Sequence, residues 1–537
     1  MSQRSFLSVG VFVATLLATP HPASAQGTWT PPIGIPAPSF GVTETIPTLP
    51  SPWSSAVSTF YFVCPSCAGA TDTNNPQGYP ANPRQTIPGT MTGPAVVVLD
   101  GQIDINESFV GNGTASAPIY VTSYRPATPA KLTAGLFPRG AYIIFDHLWL
   151  GPQNSNDTDF GFGLGEGAHH IAFRYSEIIG NAQRAGGVGL GTWSYTGSQS
   201  VSNVVIDHNT IHNIGDASSS ADQDAHCVTL NGSNDHIWVT YNTLEYCSGD
   251  AMQVEAQQGR KASIHHVYYG KNVADHNRQT GGWVKNATDV IFSQNVGHDF
   301  RNNSGGPGAC FGFQYDAEYV WFLFNEAYQC NIGIAISGTL VNPGLYAFVI
   351  GNLIHDTQSQ APTDVYNAGA MVIRGGTNIY VVNNTMVNVD AGVNMPPGSA
   401  AVHYYNNILF NRTNASTYDL YTEGSVSLDV KNNMFGTNAR FGNASSGTAA
   451  ILGDPAFVNT AGGDYHLQTT SRAIDAGLTS DVYTTFLNRY GLDIRKDADG
   501  KTRPAGAAWD LGRYESGATG AAPPAAPSAP VNLRILP

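Results

Sequence analysis

Two blocks of ionisable residues stand side by side in the middle of the chain. Residues 201–259 hold Asp207, Asp216, Asp222, Asp224, Asp235, Glu245, Asp250 and Glu255 with no lysine or arginine. Residues 260–301 hold Arg260, Lys261, Lys271, Arg278, Lys285 and Arg301 against Asp275, Asp289 and Asp299. Carboxylates are hard oxygen ligands, and Asp222, Asp224, Asp250 and Glu255 could hold Ca2+. A cation beside an amine suits β-elimination of a uronate-containing polysaccharide. The C5 proton of a uronate is weakly acidic, so its carboxylate must be neutralised before a base removes that proton. A lysine desolvated beside other cations can serve as the base, and Lys285 is the candidate. Arg278, Arg301, Gln314, Tyr315, Trp283 and His276 are candidates for holding the glycan. Trp283, Phe311, Phe313, Tyr315 and Trp321 are possible sugar-stacking platforms. Plainer roles fit some of the same residues: Glu255 and Lys285 as a surface ion pair, Asp224 and Asp250 as turn formers. His226, His265, His266, His276 and His298 are unevenly spaced along the chain, which does not indicate a metal cluster.

Residues so far apart need a repeating scaffold to meet. One phrase recurs from about residue 200: a β-rich run, then Asn with an apolar neighbour, then polar turn residues. Its Asn falls at Asn209, Asn242, Asn272, Asn295, Asn325, Asn352, Asn384, Asn407 and Asn433, in steps of 33, 30, 23, 30, 27, 32, 23 and 26 residues. Steps of this size, irregular only in their loops, mark coils of two or three short strands per turn. Apolar residues alternate with period two and β-branched residues dominate the runs, which argues against helices. A β-propeller needs four strands per unit, more than these steps hold. Stacked coils pair their backbones about 4.8 Å apart, so equivalent side chains form ladders. A second run in each coil (225–231, 250–256, 281–287, 310–316, 332–338 and 370–376) aligns Asn231, Glu255, Lys285, Gln314, Ser337 and Arg374 as one outward ladder. Stacking also turns the switch from acidic to basic sequence into neighbouring patches.

These phrases resemble the pectate-lyase-like superfamily of secreted bacterial right-handed parallel β-helices, over most of residues 58–516. TDTNNPQGYPANPRQTIP, VVVLDGQI and GNGTASAPIYVTSY look like the opening coils of such proteins. DPAFVNTAGGDYHLQTTSRAIDAG and DADGKTRPAGAAWDLGRYES look like their closing segment. The resemblance implies an all-β, single-stranded right-handed parallel β-helix and leaves activity open, since lyases, hydrolases, epimerases and adhesion proteins share the fold. Lys285, in GGWVKNATDVIFSQN, is similar to the lysine of β-helix alginate and chondroitin lyases, with Gln314 standing where those enzymes carry an arginine. Asp224 and Asp250 look like the paired aspartates of polygalacturonase-type glycoside hydrolases, which act as general acid and base. A non-catalytic glycan-binding or adhesive β-helix is the third reading.

The remaining features bound the setting. Arg4, the apolar run Phe6 to Ala18 and Ala23-Ser24-Ala25 read as a signal peptide over residues 1–25, which predicts a secreted or periplasmic protein. No later segment reaches the roughly 18 apolar residues of a membrane span. With 12% charged residues and a formal net charge of -14, the composition excludes a nucleic-acid binder. The expected partner is an anionic polysaccharide and the expected state a monomer. Residues 26–57 read as an extended arm and 517–537 as an Ala/Pro-rich tail. Cys227 and Cys247, and Cys310 and Cys330, are each 20 residues apart, and each later cysteine lies five residues past a repeat Asn, so stacking predicts two equivalent bridges.

Overall fold

The computed structural model describes residues 29–517 apart from 104–108, 153–159, 166, 184–185, 192–199, 219–222, 304, 339–345, 398–400 and 425. The proposed signal peptide and nearly all of the proposed tail lie outside the described residues. Successive coils build a right-handed parallel β-helix with three long parallel sheets, of 16, 11 and 14 strands among the described residues. The first sheet starts at Phe60–Val63 and ends at Ser427–Lys431. The second runs from Phe160–Leu164 to Phe441–Gly442, and the third from Gln102–Ile103 to Ile451–Leu452. One turn shows the pattern: Asn234–Thr240 in the first sheet, Thr243–Glu245 in the third, Met252–Glu255 in the second, then Ile264–Gly270 in the first again.

The corner between the first and third sheets explains the repeat Asn. The residue before each ladder Asn has positive φ, for example Tyr241 at 57° and Lys271 at 58°, which bends the chain out of the first sheet. The Asn side chain then fills the corner. Asn242 donates from its backbone N–H (2.9 Å) and Nδ2 (3.0 Å) to Asn272 Oδ1, and from Nδ2 to the Ile206 carbonyl (2.8 Å). The pattern continues through Asn433, so each buried amide has its donors and acceptors paired.

Inward side chains of all three sheets form one apolar core along the axis. A second apolar layer lies outside the first sheet, where Val205, Trp238, Tyr268, Ile291, Trp321 and Phe348 stack outward. The arm covers part of this column with Ile35, Phe40 and Val42, and the helix Val482–Tyr490 covers another part with Phe486. Cys227–Cys247 and Cys310–Cys330 are disulfides with Cα separations of 5.6 and 5.9 Å, and Cys64 is bonded to Cys67.

Candidate functional site

The second sheet carries the ionisable residues the sequence singled out. Its strand register places Asn231, Glu255, Lys285, Gln314, Ser337 and Arg374 opposite one another in successive coils. A parallel column holds Thr229, Gln253, Trp283, Gly312, Ala335 and Val372. Lys285 Nζ lies 3.5 Å from Glu255 Oε2, so its neighbour is a carboxylate and not the cations expected from sequence. Further along the ladder, Arg374 donates to Asn367 Oδ1 (2.8 Å) and lies over the Tyr366 ring, and burial pushes its guanidinium pKa down. Lys285 and Arg374 are three coils apart, roughly 14 Å at about 4.8 Å per coil.

Asp250 lies just before its strand and is closed off from solvent. Its Oδ1 accepts from the Thr280 hydroxyl (2.5 Å) and its Oδ2 from Gln253 Nε2 (3.2 Å). Burial raises its pKa above the usual carboxylate range, against the opposing pull of His226 and Thr280. The Asp250 backbone N–H donates to His226 Nδ1 (2.7 Å), so a neutral His226 carries its proton on Nε2. That Nε2 is 3.3 Å from Asp224 Oδ1, not aligned as a hydrogen bond. Gly249 makes room for the ring, because a Cβ there would stand 2.3 Å from His226 Nδ1. Asp224 is half exposed and accepts from Gln279 Nε2 (3.1 Å), forming the outer end of an Asp224–His226–Asp250 chain.

The oxygen ligands available here differ from those read from sequence. Asp222 lies outside the described residues, and both carboxyl oxygens of Asp250 are engaged within the protein. Thr229 Oγ1, Asn231 Oδ1 and Gln253 Oε1 are buried acceptors with no hydrogen-bond partner among the described residues. Leaving such atoms unpaired costs about 1–3 kcal/mol each. Strand register sets Thr229 opposite Gln253 and Asn231 opposite Glu255 on two neighbouring rungs, and oxygens of this hard type suit Ca2+.

The glycan-binding candidates separate in space. Gln314 is half-buried on the ladder, and Tyr315, the last residue of its strand Ala309–Tyr315, is 45% exposed. Trp283 is not open to a sugar: it lies over Gly312, where a Cβ would stand 2.4 Å from its ring, and packs with Ala309, Ile332, Ala335 and Val372. Arg278 is buried in the loop between the third and second sheets. Arg301 donates to the Gln329 carbonyl (2.7 Å) and Gln358 Oε1 (2.6 Å). His276 stands at the end of a third-sheet strand, paired with Asp275 and stacked on Tyr246. Phe311 and Phe313 point into the core, and Trp321 stacks on Phe348 beneath the C-terminal helix, so these three offer no sugar platform. Sequence reading missed His226, Gln253, Thr229 and Thr280 as groove residues. Thr229 and Gln253 occupy the same place in successive coils, which was the available signal for that pair.

No protein-family model matches the chain, and no curated protein matches it. Among solved structures, it is similar to pectate lyase Pel9A (15% identity, 86% of this chain and 98% of that one, TM-score 0.39). It is also similar to the PL6 family alginate lyase AlyGC (12%, 73% and 56%, 0.42). A third is the GH136 lacto-N-biosidase from Eubacterium ramulus (12%, 73% and 67%, 0.39). Likenesses at this level extend no further than fold, which the parallel strand pairing establishes without them.

Proposed function

We propose that this chain is a secreted polysaccharide-active enzyme that cleaves an anionic, uronate-containing glycan by β-elimination on the outer face of its second sheet. The observation that carries the reading is the Glu255–Lys285 pair beside three buried, unpartnered oxygen acceptors on one strip of sheet. Asn231, Gln253, Thr229 and Glu255 would hold Ca2+, which when bound neutralises the substrate carboxylate and acidifies the C5 proton. Lys285 in its amine form takes that proton. The C5–H electrons form the C4–C5 double bond, the C4–O bond breaks, the leaving oxygen takes a proton from water as the new chain end, and the Lys285 ammonium returns its proton to the hydroxide so formed. Arg374 and the exposed Tyr315 extend the strip for neighbouring sugars, the cation opposing the negative charge of a uronate.

A second reading rests on Asp250, whose raised pKa suits a general acid, with Asp224 as its base in a glycoside hydrolase. Its enclosed carboxyl weighs against that role. A screen of uronate and neutral polysaccharides separates the readings: ultraviolet absorbance of unsaturated ends reports elimination, and reducing ends without that absorbance report hydrolysis. On the cleaved glycan, Lys285→Ala should lower turnover about 10²- to 10⁴-fold, the usual share of a general base. Chelation should abolish activity. Hydrolysis lost in Asp224→Asn and retained in Lys285→Ala would overturn the lyase. Binding without cleavage of any glycan would leave an adhesive β-helix.

A further inference from the structure

Around the corner from the ladder, where the chain leaves the second sheet and enters the first, four residues from adjacent coils meet. They are Asp235 and His236 on the strand Asn234–Thr240, and His265 and His266 on the strand Ile264–Gly270. On a regular strand, consecutive side chains point to opposite faces. Here His236 (φ 57°) and His266 (φ 53°) adopt left-handed backbone, and the register steps from Asp235↔His265 directly to Ile237↔Val267. Each strand therefore gains one residue without losing alignment with its neighbour, and both members of each pair remain on the outside. All four side chains are about one-third exposed.

Three imidazole nitrogens gather about a single oxygen. Asp235 Oδ1 lies 2.7 Å from His236 Nδ1, 2.9 Å from His265 Nδ1 and 3.1 Å from His266 Nδ1. His265 Nδ1 and His266 Nδ1 are 2.7 Å apart, and the His236 and His266 rings stack at 4.5 Å. Protons alone satisfy this poorly. Three N–H groups aimed at one oxygen crowd their hydrogens, and two nitrogens at hydrogen-bond distance cannot both donate to each other. A cation accepting a lone pair from each nitrogen and from the carboxylate removes both conflicts.

We propose that Asp235, His236, His265 and His266 form a binding site for a borderline divalent transition-metal ion, with Zn2+ as the fitting ion. Three imidazoles and one carboxylate are a ligand set that zinc takes in four-coordinate sites, at roughly 2.0–2.2 Å per bond. The ligand atoms of Asp235, His236 and His266 already lie within 4.8 Å of one another. Nitrogen donors distinguish the site from the all-oxygen strip of the groove, since calcium favours oxygen. An ion here links two successive coils and stabilises the folded chain by mass action.

The test is calorimetric titration of Zn2+ into chelator-stripped full-length chain, with thermal melting as a second readout. Expected are one Zn2+ per chain, a higher melting temperature, and no displacement by excess Ca2+. His236→Ala/His266→Ala should remove binding, and Asp235→Asn should raise the Kd by about tenfold or more. All three positions are on the surface, and circular dichroism checks that each variant is folded. A second group, Asp275, His276 and Asp299, is the competing location. Loss of zinc in His276→Ala with retention in His236→Ala/His266→Ala would move the ion there and overturn the proposal. Absence of binding heat and of any melting shift, or displacement by Ca2+, would overturn it as well.

Discussion

Lys285 and Glu255 were legible at the level of single residues because each ends the same short run one coil apart, and the register sets them opposite each other. His226 was not, since its role depends on a neighbouring coil's backbone: the Asp250 N–H reaches its ring where Gly249 leaves space. Nor could sequence show that Asp250 is sealed, because its burial comes from Thr280 and Gln253 folding over it. The same neighbourly logic produces a titrating cluster outside the third sheet. Asp275-His276 stacks on His298-Asp299, with His298 Nδ1 3.1 Å from Asp275 and 2.8 Å from Asp299. Hydrogen bonds to the imidazoles, outweighing burial, bring the Asp275 pKa down to about 2, and carboxylate contacts raise those of His276 and His298. The lowered carboxyl contributes stability above its ordinary pKa of about 3.9, lost as pH falls toward 2. The raised imidazoles contribute fully below about 6.5, lost as pH rises through their folded values. The melting-temperature gap between the native chain and Asp275→Asn should therefore be widest between about pH 4 and 6.5 and narrow on both sides. A gap that keeps widening above neutral pH would show that the imidazoles are not charged partners.

Among elements, the Asn corner was the most readable feature, because one side chain must satisfy the same backbone groups in every coil. Asn325 shows what each contributes: its Oδ1 accepts from Asn295, and its Nδ2 donates to the Phe292 carbonyl and to Asn352. Asn325→Ala strands several buried donors and acceptors at about 1–3 kcal/mol each, so the total should reach at least 3 kcal/mol. Exposed Asn438→Ala should change stability by no more than about 0.5 kcal/mol. Urea denaturation measures both, and equal effects would contradict a structural ladder. The cysteine pairs were legible for a related reason, their common offset from the Asn. Removing the 227–247 bridge by paired Cys→Ala substitution should cost about 2–4 kcal/mol. The helix Val482–Tyr490 carried no repeat signal, as it lies outside the coils, and sequence left Trp321, Phe311 and Phe313 open between packing and sugar stacking because a strand's inside and outside look alike when both are apolar.

At the scale of the whole molecule, that doubly apolar first sheet explains the arm. A sheet facing water on one side should alternate apolar and polar residues, yet Val205, Trp238, Tyr268 and Ile291 point outward and are buried. The arm covers them and is fastened along its length. Trp29 Nε1 donates to Asp207 (3.2 Å), Tyr241 to the Thr30 carbonyl (2.6 Å), Ser293 to the Ile33 carbonyl (2.6 Å), Trp238 Nε1 to the Pro36 carbonyl (2.8 Å), and Arg174 to the Gly41 carbonyl (2.8 Å). The part of this outer face that the arm occupies has no room for a glycan. Deleting residues 26–50 should therefore leave groove chemistry in place while uncovering a continuous apolar column. At about 1.5–3 kcal/mol for each large side chain returned to water, the loss would take several kcal/mol from stability. The truncated chain should melt well below the full chain, bind an apolar dye in its folded state, and self-associate through the bare sheet. Melting, dye fluorescence and sedimentation measure the three effects, and a truncated chain that stays monomeric, dye-free and equally stable would show that the arm is ornamental to the fold.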